Sequence, residues 1–177
     1  MGKIEITKKV LGICATNCYT VVDTETKEAL IIDPADRADV LIRDWKDKGV
    51  TPTTVLLTHG HFDHIGALAG VKKEYPDIKV YAAAEEKEVM ESPALNLSSS
   101  FGAAFTAQAD IYLEDDAEIE VLGRKCKCLL VPGHTKGGMC YYFPEEHVVF
   151  TGDTLFCYSV GRTDFPTGDA KALEDAI

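Results

Sequence analysis

The run Thr58-His59-Gly60-His61-Phe62-Asp63-His64 constrains this chain more than any other stretch. It places four potential metal ligands within six residues and holds three of the chain's five histidines. Thr53-Thr54-Val55-Leu56-Leu57, just before it, is mostly apolar and β-branched, which predicts a buried strand. Gly66-Ala67-Leu68-Ala69, just after it, opens a helix predicted over residues 66–75. The loop is therefore held at both ends. Alternation along extended backbone turns His59 and His61 the same way, so both imidazoles can reach one ion. Asp63 and His64 follow on a turn and can reach that ion or a neighbour. Neutral imidazole combined with carboxylate suits zinc or iron, not calcium or magnesium.

With 177 residues, 46% of them hydrophobic, a single domain over 1–177 with its own core is expected. The net charge of −11, from 18 basic and 29 acidic residues, opposes binding to nucleic-acid backbones and anionic membranes. Cysteines 14, 18, 126, 128, 140 and 157 include no C-x-x-C pair and do not resemble a disulfide framework. No apolar run approaches the length of a membrane span, and Met1-Gly2-Lys3-Ile4-Glu5-Ile6 carries no apolar leader core. A reducing cytoplasm is the expected location.

Along the chain, strands are predicted at 3–10, 18–22 and 29–32, the last two joined as a hairpin that ends at Asp33-Pro34. Residues 39–48, with Val40, Leu41 and Trp45 on one side, predict an amphipathic helix closed by Gly49. After the histidine loop come a strand at 78–82, a helical piece at 84–90 and an irregular or partly helical segment at 92–109, whose position relative to the site the sequence does not fix. The second half is expected to restart a sheet at 111–113 and 118–122. It continues with a strand at 125–131 that turns Cys126, Cys128 and Leu130 to one face as core residues. Pro132-Gly133-His134-Thr135 delivers another histidine on a glycine-supported turn. A hairpin over 139–143 and 148–151 then closes on Gly152-Asp153-Thr154, with His147 solvated in its turn. Residues 169–177 open a helix. The first half thus runs hairpin, Asp33, helix, strand, histidine, and the second runs hairpin, Asp153, helix. The echo predicts one further strand carrying a seventh ligand, and on this reading the chain is truncated.

His59, His61, Asp63, His64, His134 and Asp153, each at a strand end and in this order, resemble the metallo-β-lactamase superfamily. Gly152-Asp153-Thr154-Leu155-Phe156 and the segment from Ser159 to Pro166 narrow the resemblance to its glyoxalase II-like branch, which includes persulfide dioxygenases. The resemblance implies a four-layer αβ/βα sandwich, shortened in its C-terminal half by the last strand or strands and helix. It implies one metal on His59, His61 and His134, a second on Asp63 and His64, and Asp153 bridging them. Two zinc ions per site are expected, with iron as the other choice. Zinc so held lowers the pKa of bound water from about 15.7 towards ~7, and Asp63 can orient that water or take its proton as the catalytic carboxylate. The expected activity is hydrolysis of a small-molecule thioester, whose thiolate leaves without strong acid assistance. A mononuclear iron persulfide dioxygenase is the second reading. A non-catalytic metal-binding module, prone to homo-oligomerisation or strand exchange at an incomplete sheet, is the third. A lactamase or a nuclease of the same superfamily fits the sequence less well.

Five further residues carry expectations. Arg162 and Asp164 are expected to brace the loop after Asp153. Thr58 and Thr135, beside ligands, are expected to hydrogen-bond them or their partners. Tyr158 is close enough in sequence to reach the pocket.

Overall fold

Apolar alternation in the first half builds one sheet with two different faces. The structure, a computed structural model, describes residues 2–177. Its larger sheet runs in sequence order: β1 (Ile4–Leu11), β2 (Thr16–Asp23), β3 (Glu28–Ile32), β4 (Thr51–Leu56), β5 (Lys79–Ala83) and β6 (Ile111–Leu113). β1, β2 and β3 pair antiparallel, and β3 through β6 pair parallel. The crossovers carry α1 (Ala38–Asp47), α2 (Phe62–Ile65), α3 (Leu68–Glu74) and α4 (Lys87–Glu91). A second, antiparallel sheet has the order β10-β9-β8-β7, with β7 at Ala117–Val121, β8 at Arg124–Leu130, β9 at Met139–Phe143 and β10 at Val148–Phe150. A small hairpin, β11 (Leu155–Phe156) and β12 (Ser159–Val160), leads towards α5 (Ala170–Ala176).

Alternate residues of the first sheet serve two cores. Cys18, Ala29, Ile31, Val55, Val80 and Ala82 face the helices, where Leu41, Trp45 and Val71 meet them. Val21, Leu30, Ile32, Leu56 and Ala83 face the second sheet, which returns Cys126, Cys128, Met139, Tyr141 and Phe143. Cys126 and Cys128 are the core thiols their spacing predicted, and Leu130 packs beside them. Trp45 is fully buried and its Nε1–H donates to Thr20 Oγ1 at 3.0 Å, joining α1 to β2. After the small hairpin, α5 is anchored by Leu173, buried against Gly133, and by Asp169 N–H donating to Gly133 O. No helix among the described residues is long and apolar enough to cross a membrane.

Two elements differ from expectation. Residues 111–113 do not restart a sheet; β6 is the parallel edge strand of the first one. Asp110 fixes it there, exchanging hydrogen bonds with the Val80 backbone through its own N–H and its carboxylate at 2.8 and 2.9 Å. The helix expected over 66–75 is α3 at Leu68–Glu74, and a separate short helix not expected there, α2, lies inside the histidine loop. Ala67 N–H donates to Pro34 O at 2.9 Å rather than back along a helix, which separates α2 from α3.

Removing the Trp45 side chain leaves a large cavity and an unpaired Thr20, so Trp45→Ala should lower unfolding free energy by about 3–5 kcal/mol in denaturant titration. Buried Arg124 donates to Asp23 Oδ2 at 2.9 Å, and with the Thr26 and Glu25 amides it holds that carboxyl below its ordinary range. A depressed carboxylate contributes stability that is present above its unfolded pKa and lost as pH falls through the folded one. Stability measured against pH should fall on the acid side, and Asp23→Asn should flatten that limb.

Candidate metal centre

Chain direction explains why distant residues meet at one edge. β3, β4 and β5 are parallel, so their C-terminal ends lie together, the edge where open α/β sheets present ligand sites. Asp33 follows β3, the His59–His64 loop follows β4, and Glu86 lies just past β5. In the second sheet β8 and β10 both pair antiparallel with β9 and so run the same way. Their C-terminal ends deliver His134 and Asp153 to the same place. Met139 N–H donating to Thr58 O at 2.8 Å ties the two sheets there.

His59, His61, His64 and His134 are all buried at this edge. His61 Nδ1 lies 3.1 Å from His59 Nε2 and 3.1 Å from His134 Nε2. Ligand atoms about 2.0–2.1 Å from a tetrahedral zinc stand about 3.3 Å from one another, close to this triangle. His59, His64 and Asp153 form a second convergent group. Asp153 spans the two, with Oδ2 3.6 Å from His134 Nε2 and Oδ1 3.3 Å from His64 Nε2. Asp63 Oδ2 lies 3.5 Å from His64 Nε2 and also accepts from the Thr16 hydroxyl. All six residues expected to act as ligands are therefore brought to one place, with Asp63 at its rim rather than in either tight triplet.

The outward nitrogens show which inward ones are free to bind a cation. Arg162 O can only accept, so at 2.7 Å it takes the Nδ1–H of His134 and leaves Nε2 with its lone pair facing inwards. Asp33 accepts from Thr58 N at 2.8 Å, Thr58 Oγ1 at 2.7 Å and His64 Nδ1 at 2.9 Å. With its own proton given to Asp33, the Thr58 hydroxyl receives the Nδ1–H of His59 at 3.2 Å. Asp33 thus orients two imidazoles, one directly and one through Thr58, as a carboxylate behind a ligating histidine does. Asp33 adopts φ 50°, which aspartate tolerates better than most residues. Gly152 also has a positive φ, 50°, and a Cβ there would collide with Thr58 Oγ1, so glycine is required beside Asp153.

Charge distribution supports the same use. Burial, reinforced by neighbouring imidazoles, pushes His61 down to about 3 and His59 well below its ordinary value, which keeps both neutral and able to ligate. Burial alone would lower His64 too, but Asp33, Asp153 and Asp63 raise it well above the usual histidine range. Burial would raise Asp153, and contact with His64 and the other imidazoles lowers it instead. Three carboxylates thus converge on the His64 ring, an acidic surrounding that suits divalent cations. The imidazole-rich, thiolate-free donor set fits zinc or iron.

Glu86, fully buried, was missed by sequence reading. It accepts from Gly60 N at 2.6 Å and Gly137 N at 2.9 Å, tying the His59–His61 loop to the loop after His134. Burial raises its pKa despite these amides. Only its position in a predicted helical piece marked it, and nothing local distinguishes it from its solvated neighbours. Thr58 is the supporting residue it was expected to be, and Thr135 is buried beside Glu86. Arg162 and Asp164 form the expected brace, two contacts of 2.6 Å. Tyr158 does not reach the pocket; it stands fully exposed at the tip of the β11–β12 hairpin, at φ 65°. His147 is exposed in its turn, as expected. The segment over 92–109 does border the site: buried Asn96 donates to Phe105 O and Met90 O, and its carbonyl receives Phe62 N–H at 2.8 Å.

With this geometry, residues 11–177 match the model of the "Metallo-beta-lactamase superfamily". The chain is 36% identical over 169 residues to the probable metallo-hydrolase YqgX of Bacillus subtilis, covering 94% of this chain and 79% of that protein. It is 35% identical over 167 residues to hydroxyacylglutathione hydrolase GloC of Haemophilus influenzae, covering 91% and 76%. Among solved structures, the BLEG-1 B3 metallo-beta-lactamase superposes with TM-score 0.91 at 38% identity, covering 98% of this chain and 83% of that one. TTHA1623 in a di-iron-bound form gives 0.82 at 34%, covering 96% and 83%. ETHE1 from Myxococcus xanthus gives 0.78 at 26%, covering 97% and 67%.

Glu86→Ala leaves two buried amides without acceptors, each worth about 1–3 kcal/mol. It should lower stability by roughly 2–5 kcal/mol and weaken metal retention under competing chelator. Glu86→Gln, which keeps one acceptor oxygen, should recover part of both.

Proposed function

The chain belongs to the metallo-beta-lactamase superfamily, and on that premise we propose that it is a binuclear metal-dependent hydrolase of thioesters. The observation carrying this reading is the placement of Asp153, with one oxygen towards the three-histidine triangle and the other towards His64. His59, His61 and His134 would hold one ion and Asp63 with His64 a second, with Asp153 placed between the two sets. Zinc or iron in these positions supplies a Lewis acid and a nucleophilic oxygen at neutral pH. Asp63, at the rim with its Oδ2 held by Thr16, orients the attacking water and accepts its proton. A thiolate leaves without help from a strong general acid, so the reaction asks no further proton donor of the residues lining the pocket. Similarity to GloC supports a thioester, and similarity to BLEG-1 keeps a β-lactam as the competing substrate. The substrate is a small molecule, since the net charge of −11 opposes nucleic acid and anionic membranes.

The test is metal analysis of the purified chain with thiol release from a thioester, β-lactam hydrolysis and oxygen uptake with a persulfide followed in parallel. About two zinc or iron ions per chain and thiol release that chelation abolishes are expected. Asp153→Asn should lower thioester kcat/KM at least about 100-fold. Lactam cleavage without thiol release would make the chain a lactamase; oxygen uptake with a single iron would make it a dioxygenase.

A further inference from the structure

In front of the ligand atoms lies a cavity of about 290 Å³ whose two walls differ in chemistry. One is polar, formed by His61, Asp63, His134 and Asp153. The other is Phe62, Leu97, Phe101, Phe156 and Phe165. We propose that this second wall selects thioesters whose acyl group and thiol are uncharged and apolar near the reacting carbon, in preference to thioesters of glutathione. The proposal rests on the thioester reading above. In the reaction the acyl C–S bond breaks, a C–O bond forms from water, and a carboxylic acid and a thiol leave.

Three observations carry it. First, the apolar wall is built but uncovered at its mouth. Phe101 stacks on Phe62, with ring centroids 4.6 Å apart and planes within 18°, yet remains 49% exposed, and Phe156 is 42% exposed. Covering such area with an apolar group is favourable. Second, anionic groups find no free counter-charge. Among the described lining residues Arg162 is the one permanent cation. Asp164 occupies its fork at 2.6 Å and 2.6 Å, and Phe165 stacks beneath it at 4.1 Å. Its carbonyl also orients His134, so moving this residue to meet a substrate carboxylate would disturb a ligand. The overall charge of −11 opposes the two carboxylates that glutathione carries. Third, Leu97 and Phe101 come from the 92–109 segment, which Asn96 fixes against Phe62. Leu97 and Phe101 are therefore held in place by contacts outside the ligand set, whereas Phe165 packs edge-on against His61 and His134.

The experiment compares one acyl group on two thiols: hexanoyl-glutathione against hexanoyl-N-acetylcysteamine, with the acetyl esters as short-chain controls, on the metal-loaded chain. Expected is a kcat/KM at least tenfold higher for the neutral thiol, and a hexanoyl-over-acetyl preference that Phe101→Ala reduces about fivefold, the loss from roughly 40 Å² of apolar contact. Phe101 is half exposed, so its removal should leave circular dichroism unchanged. Equal or better use of hexanoyl-glutathione, selectively lost in Arg162→Gln, would overturn the proposal in favour of cationic recognition. An unchanged chain-length preference in Phe101→Ala would overturn it as well. If the metal-loaded chain turns over no thioester, the underlying thioester reading fails. The wall is then judged by calorimetry, where a neutral phenyl-bearing thiol should bind at least tenfold tighter than glutathione, and a tie or reversal refutes it.

Discussion

Four imidazoles are packed against one another away from water, and three of them, His59, His64 and His134, are aimed by hydrogen bonds to their outer nitrogens. Asp33 does most of this work. Its two oxygens accept from the Thr58 backbone, the Thr58 hydroxyl and His64, and through Thr58 they also orient His59. Because Asp33 ends β3 and Thr58 follows β4, the same carboxylate that sets two rings also fixes the two strand ends against each other. The geometry of the centre and the geometry of the sheet edge are one set of hydrogen bonds.

The remaining loops are held by the same means from the other side. His134 is turned by a carbonyl of the segment that Arg162 and Asp164 brace, and Glu86 gathers the amides of Gly60 and Gly137. The Glu86 and His134 ties are buried, so loosening either loop would leave a polar atom unpaired at a cost of about 1–3 kcal/mol. Ligands on loops can thus be placed with a precision usually found on strands and helices.

The cavity next to this centre draws its two walls from different parts of the chain. The polar wall belongs to the strand ends, where parallel β3 to β5 and the second sheet converge. Most of the aromatic wall belongs to the irregular segment over 92–109 and to the residues following Asp153, with Phe62 added from the histidine loop itself. Reactivity and selectivity are therefore separable: the superfamily's ligand frame occupies one, and the groups most able to distinguish substrates occupy the other.

Much of this was legible along the chain. Alternating apolar residues located β1 to β5 and β7 to β10 closely. Ligand density between a strand and a helix marked the His59–His64 loop, and the order of His134 and Asp153 after it carried the family resemblance. These signals are local, lying within a few residues of one another. Asp33 was visible as the residue closing a strand before proline, but not as the group orienting His59 and His64, because its partners lie 25 and 31 residues away. Glu86 was invisible for the same reason: its amides belong to loops 26 and 51 residues distant, and one buried glutamate among exposed ones has no local signature. The edge position of β6 depended on Asp110 meeting Val80 across 30 residues. Side-chain chemistry and spacing determined what kind of centre this chain can form. Only the tertiary structure decided which groups orient it, because burial and long-range hydrogen bonding exist only once the strand ends meet.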